Sequence, residues 1–250
     1  IVTKDGSDTF KGNATIYGGD FISNKSNLYD NINNINPFST RNLELNVEGP
    51  LIKEKLFYNM TARDIYYQGV FEGQRLFNPQ NISFFDQDDN FNLHRLEIVG
   101  DDTLNPGKGD GVFVPMNWNK KTYLQGKLIY RHSPFTKLKY TLINDDVSYQ
   151  DYNRMYRYNP DGNLKRYRYG LTQLLQLNHT FSTKTFLNVG FTHFKKSYQH
   201  RTYDRDKWNQ YVHPKLLNSQ PYSFLTGGTD LSIFSRETST STFKADLTSQ

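Results

Sequence analysis

The sequence predicts an all-β fold: an antiparallel transmembrane β-barrel, incomplete, with about eight strands. Three observations predict it. Apolar residues recur with a period of two rather than the helical 3.6. Long polar connections alternate with short turns along the whole chain. The composition is polar overall and yet carries 18 Tyr and 18 Phe among 250 residues.

The elements follow in order. A first strand over 12–22 is softened by Gly18-Gly19, and a polar connection follows over about 23–40. Residues 42–48 set Leu43, Leu45 and Val47 against Asn42, Glu44, Asn46 and Glu48, the cleanest alternation in the chain. Residues 49–55 read as a short turn, and 56–66 put Leu56, Tyr58, Met60 and Ala62 opposite Asn59, Thr61 and Arg63. After the longest connection, 67–120, Leu124, Leu128 and Tyr130 oppose Gln125, Lys127 and Arg131. A turn at 132–137 leads to Leu138, Tyr140 and Leu142 against Lys139 and Thr141. A connection over 150–167 precedes a strand over 168–181, in which Gln173 shares the face of Leu171 and Leu175. Ser182-Thr183-Lys184 turns into Leu187, Val189 and Phe191, and a last connection over 198–237 ends in Phe243, Ala245 and Leu247.

The connections separate a membrane barrel from a soluble sandwich. Barrels of the outer-membrane type carry short periplasmic turns at one end and long extracellular loops at the other. A sandwich has no reason to put every long connection at one end. The final strand runs to the last residue without a turn, and an open edge in lipid would leave backbone groups unsatisfied. The chain is therefore expected to be part of a barrel cut from a larger protein. No apolar run is long enough for a membrane helix, and no signal peptide opens the chain. With no Cys, thiol catalysis, thiolate metal sites and disulfides are excluded. The net charge of +5 is spread rather than blocked, which gives nucleic-acid binding little support.

Ile1-Val2-Thr3-Lys4-Asp5-Gly6-Ser7-Asp8-Thr9-Phe10-Lys11-Gly12 resembles the junction at which the last plug strand of TonB-dependent outer-membrane receptors passes into the barrel. Asn13-Ala14-Thr15-Ile16-Tyr17-Gly18 is similar to their first barrel strand. Leu43-Glu44-Leu45-Asn46-Val47-Glu48-Gly49-Pro50-Leu51-Ile52 with Lys55-Leu56-Phe57-Tyr58 looks like the second strand, its Gly-Pro turn and the third. Leu177-Asn178-His179-Thr180-Phe181-Ser182 and Lys184-Thr185-Phe186 match a recurring barrel-turn pattern. The resemblance implies that residues 1–10 end a plug domain and 11–250 supply the N-terminal portion of a barrel of about 22 strands. It implies a Gram-negative outer-membrane receptor, not an enzyme, for ligand-gated uptake of a siderophore, glycan, peptide or cobalamin. Its partners would be outer-membrane lipid, that ligand, the inner-membrane TonB energy-coupling complex acting on a region ahead of Ile1, and in some family members a surface lipoprotein. Two alternatives stay open: a soluble all-β glycan-binding or glycan-cleaving protein, and a passive porin or adhesin barrel.

Two constellations carry candidate chemistry. Tyr152, Arg154, Tyr156, Arg157 and Tyr158, a Pro160-Asp161-Gly162 turn, then Arg166, Tyr167 and Arg168 read as a basic, aromatic hairpin. Rings interleaved with guanidinium groups stack on sugars or bases or grip anionic head groups, and Trp118 stands at a loop base nearby in sequence. The same residues would also serve as an interfacial aromatic girdle. Asp86, Asp88 and Asp89 with Asn90 nearly match the oxygen spacing of a calcium loop, but Phe91 stands where the sharp turn needs Gly. A loop-bound Ca²⁺ is weighed there against a solvated acidic loop, with no other cofactor implied. No His-Glu-x-x-His, Gly-x-Ser-x-Gly or phosphate-binding glycine loop occurs, so nothing points to catalysis.

Overall fold

The computed structural model describes residues 7–80, 83–87, 93–97, 109–212 and 224–249, with the backbone alone for 83–87 and 93–97. The described strands are β1 (Lys11–Gly19), β2 (Thr40–Ile52), β3 (Leu56–Gln68), β4 (Glu72–Gln74), β5 (Ser83–Gln87), β6 (Leu93–Glu97), β7 (Phe113–Pro115), β8 (Trp118–Ser133), β9 (Thr136–Gln150), β10 (Lys165–Thr180), β11 (Thr185–Arg201) and β12 (Phe234–Ser249). Eight of them form one antiparallel sheet in the order β1-β2-β3-β8-β9-β10-β11-β12. The sheet is a meander, and it is open, since β1 and β12 each have a single partner. β4 pairs with β7, and β5 with β6, inside the excursion between β3 and β8.

All eight expected strands are present, and most are longer than their alternation indicated. β11 continues to Arg201 and β12 begins at Phe234, so the last connection is 202–233 rather than 198–237. The reason is chemical. Beyond the apolar stretch these strands are polar on both faces, as in Ser235-Arg236-Glu237-Thr238-Ser239, and period two disappears while the ladder continues. Residues 49–55 are not all turn either. β2 runs through Gly49-Pro50 to Ile52 with a register shift between Pro50 and Ile52. Pro50 sits past the first paired residue of β1, Lys11, where no neighbour calls on its missing N–H.

The register separates two faces. On one, Gly49, Tyr58, Leu128, Tyr140, Leu175, Phe191 and Phe243 form a continuous row from β2 to β12. Leu43, Leu45, Met60, Leu124, Leu138 and Leu247 extend it into a band, and these side chains are exposed because no described element covers them. The other face is polar and bonded within itself. Asn59 donates to Glu48 (3.2 Å), Thr61 to Asn46 (2.7 Å), Asn46 to Glu44 (2.8 Å) and Asn178 to Asn188 (2.6 Å). Arg63 pairs with Glu44 at 3.2 Å and Lys121 with Asp145 at 3.0 Å.

The long connections, 20–39, 69–117, 151–164 and 202–233, all leave from one end of the sheet, and the short turns from the other. The long ones fold into a cap. Its hydrophobic cluster is Met116, Tyr156 and Leu225, with Phe77, Val212 and Phe224 also buried. Much of the buried apolar side-chain volume therefore lies in connections, where each large side chain contributes about 1.5–3 kcal/mol.

Candidate functional site: the polar sheet face and the loop cap

The cap is cross-bonded by all four connections. Gln74 N–H donates to Arg157 O (2.9 Å), Phe77 N–H to Tyr158 O (3.0 Å) and Leu225 N–H to Met155 O (2.7 Å). Gly228 N–H reaches Pro79 O (2.6 Å), Asp230 N–H reaches Gly162 O (2.8 Å), and Asn159 Nδ2 reaches Gly228 O (2.8 Å). The connection 20–39 joins through Asp30, which pairs with Arg157 at 2.7 Å, and through Asn31, which donates to Glu72 at 2.7 Å. Arg75 holds Asp161 at 2.7 Å and Asp110 at 3.3 Å.

Residues 151–164 are not a hairpin. Two 3₁₀ turns, Arg154–Tyr156 and Pro160–Gly162, fold this stretch into the cap, and β10 starts only at Lys165. Gly162 lies against the Gly228 carbonyl so closely that no Cβ would fit, which is why a glycine stands there.

The candidate ligand residues separate into three settings. Tyr156 and Arg157 are structural: Tyr156 is in the cap's cluster, and burial, then Asp230, pushes its phenol pKa well up. Arg154 lies over the Phe224 ring at 5.3 Å, and Tyr158 packs on the same ring at 5.0 Å. Tyr152 is in the second setting, stacked on Phe71 at 4.5 Å, with Tyr29 a further 6.1 Å from Phe71. Three connections thus contribute one partly exposed aromatic surface, and neither Tyr29 nor Phe71 was signalled by local sequence. The third setting is the upper sheet. Arg166 pairs with Asp151 at 2.6 Å, and Arg168 lies over Tyr149 at 5.4 Å on the polar face. Tyr167 faces the other way beneath Arg201, at 4.2 Å, and Trp118 opens β8 with its Nε1 donating to Gln150 at 3.1 Å.

No family model, curated relative or solved structure matches the chain. The arrangement of its own residues therefore carries the functional argument.

The calcium reading at Asp86, Asp88 and Asp89 lies outside the described residues; of the three, only the backbone of Asp86, in β5, is described. A different carboxylate is electrostatically unusual. Glu72, in β4, accepts from Asn31 (2.7 Å) and Gln68 (2.9 Å), yet burial and then the Asp20 and Asp30 charges hold its pKa above the ordinary glutamate value. Asp20 goes the other way. Burial opposes its charge, but hydrogen bonds from Ser39 and from the N–H groups of Asn36 and Phe21 outweigh it and lower its pKa. Tyr203 is pushed up to about 12 by burial and then by Asp161.

The chain just before β1 lies on the polar face at the short-turn end. Asp8 approaches Arg131 of β8 at 3.5 Å, and the Arg131 guanidinium lies over the Phe57 ring at 4.2 Å. Residues 7–10 therefore come to the sheet from its polar side.

Proposed function

We propose that this sheet is part of the wall of a closed β-barrel in a bacterial outer membrane, in a receptor of the TonB-dependent kind. The apolar face would meet lipid, the polar face would line the interior, and the capped connections would capture ligand outside the cell. β1 and β12 would pair with further strands, which satisfies their edge groups as a membrane requires.

The observation that carries this reading is the slant of the uncovered apolar band. Its upper border is Ile16 on β1, in the row of Leu43, Asp64 and Thr122. On β12 the border is Phe243, in the row of Phe191, Leu175, Tyr140 and Leu128. Along β8 this is a drop from 122 to 128, six residues across seven strand steps. At about 3.3 Å per residue and about 4.8 Å per step, a band level with the membrane needs strands tilted by about 30°. Membrane barrels tilt their strands by about 35–45°. On β8 the band spans Leu124 to Tyr130, about 20 Å along the strand. Phe135 and Phe181, exposed in the short turns, extend it.

Two further features support the reading. The long connections share one end, and Asp8 meets Arg131 on the polar face, as expected of a chain arriving from inside a barrel. A soluble glycan-binding protein would need the apolar face covered, and no described element covers it. Ligand uptake, coupling to an inner-membrane TonB complex and a surface-lipoprotein partner follow from the receptor reading.

These 250 residues have no Cys, so once any cysteine elsewhere in the full-length protein is changed to Ser, single cysteines report topology cleanly. In intact cells expressing the full-length protein, Tyr152→Cys is expected to react with a membrane-impermeant maleimide, and Glu54→Cys only after the outer membrane is broken. Equal labelling of both, or recovery of a soluble monomer without detergent, would overturn the proposal.

A further inference from the structure

The upper polar face carries an excess of positive charge that the sheet does not neutralise. Lys121, Arg166, Arg168, Lys196 and Arg236 share this face on β8, β10, β11 and β12. Two of them have carboxylates: Asp145 for Lys121 at 3.0 Å and Asp151 for Arg166 at 2.6 Å. Arg168, Lys196 and Arg236 have no carboxylate partner among the described residues.

The register brings these three together. Arg168 is directly opposite Tyr198, and Tyr198 is opposite Arg236. Lys196 is opposite Gly170, one diagonal step from both arginines, a separation of about 7–8 Å between backbones. Three like charges at such spacing repel; the nearest carboxylate, Asp145 opposite Gly170, is already paired with Lys121, and Gly170 leaves room for a further negative group. A cavity of about 400 Å³ opens here, lined by Lys121, Asp145, Arg168, Gly170, Phe194 and Lys196 among others, with Arg236 beyond its edge. A Cβ at Gly170 would meet only Asp145, at 3.9 Å, so the floor is open rather than packed. Tyr149 lies under Arg168 at 5.4 Å, which fixes that guanidinium without neutralising it.

We infer that this notch binds a small multivalent organic anion, bearing carboxylates or phosphates, on the polar face of β10–β12. The Arg168 fork suits both kinds of oxygen pair, and Lys196 supplies a point charge beside it. The inference goes beyond the proposed function, since it rests on register and charge and holds whether or not the opposite face meets lipid.

The test is calorimetric titration of the full-length protein, at low salt, with citrate, with tripolyphosphate and with uncharged glucose. Saturable binding of at least one anion and not of glucose is expected, and citrate against tripolyphosphate distinguishes a carboxylate from a phosphate ligand. Arg168→Gln and Lys196→Gln should each weaken it by about tenfold, the scale of one charge-assisted contact, and Arg236→Gln, beyond the cavity lining, by less. Gly170→Val, which keeps every charge and favours a strand, should narrow the notch and weaken binding with the thermal transition retained. No uptake of either anion by the wild type, equal binding by the triple variant, or equal uptake of glucose would each overturn the inference. None of those results touches the membrane reading, which fails separately if the cysteine topology is wrong.

Discussion

Arg157 and Asp30 meet at 2.7 Å although 127 residues separate them, and the pair ties the connection after β9 to the connection after β1. Both are partly buried, with side chains 33% and 27% exposed. The cap is therefore a preassembled body rather than four independent loops. Cutting this tie in Arg157→Ala leaves Asp30 with its charge uncompensated. A loss of about 1–3 kcal/mol of local stability is expected, read as faster amide exchange in 20–39 and 151–164 with the sheet unchanged. Unchanged exchange in 20–39 would mean the connections behave independently.

Glu72 gives the cap a pH dependence of defined sign. Its pKa is raised by burial first and by Asp20 and Asp30 after that. A carboxyl with a raised folded-state pKa contributes stability that is complete below the unfolded value and lost as pH rises through the folded one. Protection of residues 69–80 against limited proteolysis should thus decline as pH climbs from the ordinary glutamate range toward neutrality. In Glu72→Gln that decline should vanish; a decline of equal size would assign it to another group.

Leu128 tests the two faces energetically. It is 42% exposed, so in water its replacement by Arg would fall within about 0.5 kcal/mol. On a lipid-facing wall the same change costs about 2–4 kcal/mol near the bilayer midplane. Leu128→Arg should therefore destabilise the protein in liposomes far more than Gln125→Arg, which lies on the polar face of the same strand. Equal effects in chemical denaturation would contradict that.

The eight strands of the main sheet and the sharing of one end by all long connections were legible in the sequence, because period two and connection length are local properties; the short strands β4 to β7 within 67–120 were not. The upper halves of β11 and β12 were not, because Lys195–Arg201 and Ser235–Ser241 are polar on both faces and leave only a backbone signal. The cap's interior was hidden for another reason. Met116, Tyr156 and Leu225 come from three separate connections, and nothing local marks Tyr156 as buried rather than displayed. Reading 152–169 as a hairpin followed the turn chemistry of Pro160-Asp161-Gly162, which here closes a 3₁₀ turn held by Asn159. Of the upper-face cations, Arg168 stood out by its neighbours in sequence; Lys196 and Arg236 join it only through register.

The central claim is that one face of this sheet meets lipid and the other does not. Leu175 and Gln176 are consecutive on β10 and point to opposite faces. With Trp118, Trp208 and any tryptophan elsewhere in the full-length protein replaced by Phe, a single tryptophan at each position in turn reports its surroundings in liposomes. Brominated acyl chains should strongly quench Leu175→Trp and leave Gln176→Trp nearly unchanged. Equal quenching of the two, or quenching of neither, would contradict the account.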